Sequence, residues 1–304
     1  MSQGIATLEE LAANLRAIYG DPIGDDKEPF LEMAERACDR LADQDQVSPL
    51  TLACIVHDFL YLDRPAGALA MLRRRGRDLD RIAGFDSAAL LAVLEGDGSP
   101  HLRAVQALYR LKVVNYDAQE RRSSDAFVRA VRRLRLPPTP RVLDLGCGTG
   151  RTGEWLAMAG ISGDLVGVDI SEDMLSVVAG KGLYRNLIRR DIVDVLREAP
   201  SACGGVFDLV VMLWVAAHMG RADFLSIIEY APRLLSGAQA CFVFDTFFAK
   251  ADADVRRGDT GLHALTRAEI EAALKAAGFT ARHETHDGLA LYRCWPAAAP
   301  RGSA

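Results

Sequence analysis

The chain has 304 residues and six cysteines, Cys38, Cys54, Cys147, Cys203, Cys241 and Cys294, but no Cys-x-x-Cys pair. Thiols scattered without metal-ligand spacing argue against a zinc ribbon, and without a CxxxCxxC run they give no support to radical chemistry. They fit free thiols in a reducing compartment, so a cytoplasmic location is expected. Excess basic charge is also lacking: 36 Lys and Arg stand against 41 Asp and Glu, for a net charge of −5. That balance gives no general attraction to nucleic acid. Long apolar runs are missing as well. The stretch 207–215 comes closest and is too short to span a bilayer, so no membrane partner is expected. The first ten residues are acidic and lack an apolar core, which argues against a secretion signal. Aromatic residues make up only 7% of the chain.

What is present divides into two patterns. Residues 1–112 read as helix after helix, an all-α bundle. Thr7 and Glu10 fit a capping box ahead of an apolar face formed by Leu8, Leu11, Leu15 and Ile18. Further helices are expected at 29–42, 48–62, 66–75, 87–94 and 101–114, separated by Gly-, Asp- and Pro-containing breaks. The pair around Asp63-Arg64-Pro65 looks like one tetratricopeptide unit, although no second copy follows at a fixed period. Residues 113–140 read as an arginine-rich linker or lid helix that ends in the stiff run Pro137-Pro138-Thr139-Pro140. The local run Arg73-Arg74-Arg75-Gly76-Arg77 reads as a solvated helix end. From 141 to 296 strands and helices alternate, and 297–304 form a tail. Strands are expected at 141–145, 164–169, 184–189, 206–213 and 239–247. Helices are expected at 150–160, 172–180, 221–235 and 266–277. The strands are nearly continuous apolar runs, as when both faces of a sheet are covered. The alternation predicts an α/β doubly wound, mostly parallel sheet. Two more strands, at 278–286 and 289–295, flank Asp287-Gly288, a tight-turn signal. They bring the sheet to seven strands, the last antiparallel.

The run Val142-Leu143-Asp144-Leu145-Gly146-Cys147-Gly148-Thr149-Gly150 carries the most chemistry. A buried strand stops in a glycine-rich turn and a helix begins. Glycine lets the backbone bend sharply and lets a ligand lie against it, at a helix N-terminus that favours anions. Gly148 to Gly153 also matches G-x-G-x-x-G, the dinucleotide fingerprint. Position argues against that reading, because Gly146 already makes the turn. Asp144, two residues before it, would repel a pyrophosphate and attract an ammonium.

At this point the chain resembles the class I S-adenosylmethionine-dependent methyltransferases. After Val142 to Gly150 come Val166-Gly167-Val168-Asp169-Ile170-Ser171, Arg190-Asp191-Ile192, Phe207-Asp208-Leu209-Val210-Val211 and Leu274-Lys275-Ala276-Ala277-Gly278-Phe279, in the family's order. The resemblance spans about residues 115–296. It implies S-adenosylmethionine as cofactor and S-adenosylhomocysteine as product. It further implies that Asp144 holds the methionyl amino group, that the backbone of Gly146, Gly148 and Gly150 lines the methionyl and ribose side, and that Asp169 accepts from both ribose hydroxyls. By the same resemblance Ile170 packs on the adenine, Asp191 accepts from the adenine amine with Ile192 beside it, and Leu213 and Trp214 border the reactive end. A bland reading stands beside these, in which Asp169 or Ser171 merely caps the following helix. Cys147 reads as a small residue tolerated in the turn.

Methyl transfer from a sulfonium is an in-line displacement that needs positioning and no metal. His218, just past the fourth strand, is the candidate general base. Tyr116, Trp214, Phe247 and His263 are substrate-side candidates, together with Thr246 and Phe248. The fourth strand ends in Leu-Trp, unlike the Asn/Asp-Pro-Pro-Tyr run of the nucleobase and glutamine methylases that the fold resembles. No Pro-Cys nucleophile motif occurs. These features predict a methyltransferase acting on an oxygen or nitrogen of a small metabolite or natural product. A protein methylase whose helical domain docks its target, a non-catalytic cofactor-binding module, and a homodimer or protein complex remain open.

Overall fold

A computed structural model describes residues 47, 49–61, 64–82, 85–112, 125–247, 265–286 and 289–297. The chain divides into two units, residues 1–112 and 113–304. In the first, four helices are described: α1 (Pro49–Tyr61), α2 (Pro65–Leu79), α3 (Ser87–Glu95) and α4 (Pro100–Lys112). Asp86 caps α3 by accepting the Ala89 N–H at 2.8 Å, as expected of a short acid that satisfies an otherwise unpaired helix-end donor. Leu52, Ile55, Phe59, Leu72, Leu90 and Leu108 belong to a core of their own. The expected helices before residue 47 lie outside the described residues.

The second unit begins, among its described elements, with α5 (Asp125–Arg132). It continues through β1 (Arg141–Leu145), α6 (Arg151–Met158), β2 (Asp164–Asp169), α7 (Glu172–Lys181), β3 (Asn186–Arg189), α8 (Ile192–Arg197), β4 (Leu209–Met212), α9 (Arg221–Tyr230), β5 (Cys241–Phe247), α10 (Arg267–Ala276), β6 (Phe279–His286) and β7 (Leu289–Pro296). One seven-stranded sheet has the order β3-β2-β1-β4-β5-β7-β6. The first five strands are parallel, and β7 runs antiparallel to both β5 and β6. Strand order reverses between β1 and β4, the kind of switch point at which doubly wound sheets open a ligand crevice.

Side chains alternate between two cores, because successive strand residues point to opposite faces. Val142, Leu209, Val211, Cys241 and Val243 pack with α5 and α6 through Phe127, Val131, Trp155 and Leu156. Leu143, Leu145, Val210, Met212, Phe242 and Phe244 pack on the other face with Phe224, Ile227, Ile270 and Leu274 of α9 and α10. Thr266 and Glu269 close a capping box at the start of α10.

The structure departs from the sequence expectation in five places. The helix expected over 66–75 runs on to Leu79. β3 starts at Asn186, because Tyr184 leaves the strand line to reach the glycine turn. β4 is confined to 209–212, with Phe207 making an isolated bridge to Leu235. The helix expected over 221–235 stops at Tyr230 and tightens into a 3-10 turn, Ala231–Leu234, with Pro232 inside it; proline has no N–H to continue the helical ladder. The short helix α8 was not expected, since six residues show too little periodicity.

Phe244 sits at the centre of the α9/α10 core. It stacks on Tyr292 at 4.9 Å, meets Phe224 edge-on at 5.6 Å and lies 5.0 Å from Phe242. Phe244→Ala is expected to cost about 3–5 kcal/mol in denaturant unfolding. A loss below about 1 kcal/mol would mean that this core collapses onto the gap.

Candidate active site

The glycine turn leaves β1 at the switch point and is pinned to the end of β2. The N–H groups of Gly146 and Cys147 donate to the Val168 carbonyl at 2.8 and 3.0 Å. Gly148 donates its N–H to Asp169 Oδ2 at 2.8 Å, while Asp169 Oδ1 takes the Ser171 N–H at 2.8 Å. Gly146, Gly148 and Gly150 all have positive φ, of 75°, 51° and 89°, where a side chain would be strained. Space divides them further. A Cβ on Gly146 would lie 2.3 Å from Val215 Cγ2, and one on Gly150 would lie 2.5 Å from Val178 Cγ2. A Cβ on Gly148 would meet nothing within 4 Å. Gly148 therefore presents bare backbone to open space beside the Asp169 carboxylate.

Asp144 is fully buried. Its Oδ2 accepts from the Tyr184 hydroxyl at 2.5 Å, and that hydroxyl oxygen accepts the Gly153 N–H of α6 at 3.0 Å. Its Oδ1 is buried with no hydrogen-bond partner. Burial pushes the Asp144 carboxyl up to about 7, the Tyr184 hydrogen bond pulls it down, and the charge of Asp169 raises it. Burial also raises Asp169, against the pull of its backbone donors. Both carboxylates, after burial itself, raise the Cys147 thiol. That thiol is buried and protonated, unsuited to act as a nucleophile.

The other expected positions distribute as follows. Ser171, not Asp169, caps α7 through the Met174 N–H. Asp191 caps α8, taking the Val193 and Asp194 N–H groups on Oδ1 alone; Oδ2 carries neither bond. Ile170 follows β2 and is half-buried, whereas Ile192 is buried in the α9/α10 core. Leu213 is buried in the α5/α6 core, and Trp214 packs against that core. His218 ends the 3-10 turn Ala216–His218, its N–H bonded to the Val215 carbonyl. Thr246 is buried in β5. Phe247 ends that strand, and its side chain lies outside the described residues, as do Tyr116, Phe248 and His263. The sequence reading missed Tyr184 and Asp245. Asp245 is buried and takes the Trp214 N–H at 2.6 Å. Only the sheet brings either residue to the turn.

A family model described as "Methyltransferase domain" matches residues 142–237, which run from β1 past β4 to the threshold of β5. Over those residues the chain matches a methyltransferase domain. Among solved structures, the DhpI–SAH complex is 22% identical, covers 66% of this chain and all of its own, and has a TM-score of 0.50. The DhpI–SAM–HEP complex is 19% identical over 66% of this chain and all of its own, with a TM-score of 0.52. A chain from the Haloferax volcanii complex of a methyltransferase activator with a candidate methyltransferase is 15% identical. It covers 65% of this chain and all of its own, with a TM-score of 0.52. At these identities the likeness is one of fold. No curated protein matches the chain. No helix among the described residues is long and apolar enough to cross a membrane.

The residues fit the cofactor. An open bare-backbone turn, a part-buried carboxylate at the end of β2 and a buried carboxylate in β1 suit a nucleoside that carries a cationic amino acid. The raised Asp144 carboxyl has a consequence for stability. Its contribution is fully present below about pH 4 and is lost as pH rises toward about 7, because ionisation is disfavoured in the folded state. Asp144→Asn is expected to gain on the wild type steadily over that window in denaturant titrations. A constant difference between the two would show that Asp144 does not ionise there.

Proposed function

We propose that the protein transfers the methyl group of S-adenosylmethionine to an oxygen or nitrogen of a small metabolite in the cytoplasm. The open turn at Gly148, braced by Asp169, is the observation that carries the cofactor side of this reading. The cofactor supplies an electrophilic sulfonium methyl when bound. Asp169 holds the Gly148 N–H on Oδ2 and the Ser171 N–H on Oδ1, the Ile170 N–H also favours its charged form, and a carboxylate can accept about four bonds. It can therefore brace the turn and still accept from the ribose. Asp191 can accept the adenine amine on the oxygen that α8 leaves out of its cap, with Ile170 against the ring. Asp144 faces the ammonium end electrostatically, through its charge and through the Tyr184 bridge.

His218 and Trp214 follow β4 and stand on the acceptor side. His218 takes the acceptor's proton as the new bond forms, and Trp214 walls the approach. A small acceptor is supported by the net acidic charge, which suits neither nucleic acid nor a membrane surface. A protein acceptor is the second reading. It is favoured by the helical unit of residues 1–112, which has its own core and which the methyl-transfer fold does not require. Incubating the full chain with methyl-labelled cofactor and a cell extract separates the two. Label in the small-molecule fraction supports the first reading, and label in protein overturns it.

Asp169→Ala is expected to weaken S-adenosylhomocysteine binding by about 1–3 kcal/mol in calorimetry, the range for charged hydrogen bonds. Unchanged affinity would remove Asp169 from the site. His218→Ala is expected to lower turnover about 100- to 10,000-fold, the usual share of a general base, and to leave that affinity unchanged. Intact turnover would rule out the base.

A further inference from the structure

Trp214 is the single non-glycine residue with positive φ among the described residues, at 61°. A bulky side chain is strained in this left-handed region, and such strain persists only where the surroundings impose it. The residue forms the turn between β4 and the 3-10 segment that carries His218. What holds it comes from the neighbouring strand. Asp245, only 3% exposed, accepts the Trp214 N–H on Oδ1 at 2.6 Å. Strand alternation puts the Asp245 carboxylate on the face of Cys241 and Val243, against which Trp214 also packs. A buried carboxylate needs its donors, and a bond to a charged acceptor is about twice as strong as a neutral one. The bond and the strained turn therefore sustain each other. The next residue carries the constraint onward, since the Val215 side chain fills the space where a Cβ on Gly146 would stand. One chain of contacts thus runs from β5 through Trp214 and Val215 to the first glycine of the cofactor turn.

We infer that Asp245 is a positioning residue for methyl transfer: it locks the Trp214 turn and so sets where Val215 and His218 stand against the glycine turn. The inference rests on the cofactor site described above. It assigns a role in the site to a β5 acid that touches neither cofactor nor acceptor. It also explains why the segment after β4 keeps a strained tryptophan where glycine would be relaxed.

Calorimetry of the full chain with S-adenosylhomocysteine tests it. Asp245→Ala is expected to weaken binding about tenfold, as for loss of a buried charged acceptor. Asp245→Asn keeps an oxygen for the Trp214 N–H and is expected to stay within roughly threefold of the wild type. In a Trp214→Gly background, where glycine adopts the turn freely, Asp245→Ala is expected to change affinity less than about threefold. Wild-type binding with equal losses in both backgrounds would overturn this inference alone. Failure of the wild-type chain to bind would overturn the cofactor site as well. If Asp245→Ala does not fold, Trp214→Gly compared with Trp214→Ala decides. The glycine variant is expected to melt about 2–4 °C higher, the reverse of the usual order; a higher-melting alanine variant would overturn the proposal.

Discussion

The bond from the Gly148 N–H to the Asp169 carboxylate, at 2.8 Å, is the constraint on which the site depends. With the two donors to Val168 it ties the turn after β1 to the end of β2. The position of α6, the exposure of the Gly148 backbone and the stance of Asp169 are all fixed by that tie. It has an electrostatic cost. Asp144 and Asp169 are both raised by burial, and the charge of Asp169 raises Asp144 further. A cation arriving at the turn relieves that repulsion, which a diphosphate would aggravate.

Two further acids act in the same manner. Asp144 of β1 takes the Tyr184 hydroxyl, and Asp245 of β5 takes the Trp214 N–H. In each case a carboxylate near a strand's C-terminal end accepts a donor from a segment next to another strand, β3 for Tyr184 and β4 for Trp214. The strand order places β2, β1, β4 and β5 side by side, so the three acids stand toward one edge of the sheet on both sides of the reversal. The parallel sheet gathers the strand ends at one edge, and a buried carboxylate there fixes the loop that its donor belongs to.

Much of this was legible in the sequence. The apolar runs at Val142–Leu145, broken only by Asp144, and at Leu209–Met212 read as strands because both faces of the sheet are covered. Gly146, Gly148 and Gly150 read as a ligand turn because only glycine takes those angles freely. The two strands at the C-terminal end were legible from the Asp-Gly between them. Tyr184 was not, because its partner lies 40 residues away and nothing local marks its departure from β3. The helix α8 was hidden because Asp191 and Ile192 already carried a cofactor reading, whereas Asp191 also caps that helix and Ile192 is core.

The order of residues alone determined the strand–helix alternation, the bend after β1 and the acids that attend it, since these follow from local periodicity and from the conformations glycine permits. Tertiary structure decided which donors those acids hold. The pairings of Asp144 with Tyr184 and Asp245 with Trp214 bridge 40 and 31 residues. They arise from the order of strands in the sheet, with Tyr184 reaching across Gly167 of β2 and Trp214 standing beside β5, which is a property of the assembled sheet and not of any one segment.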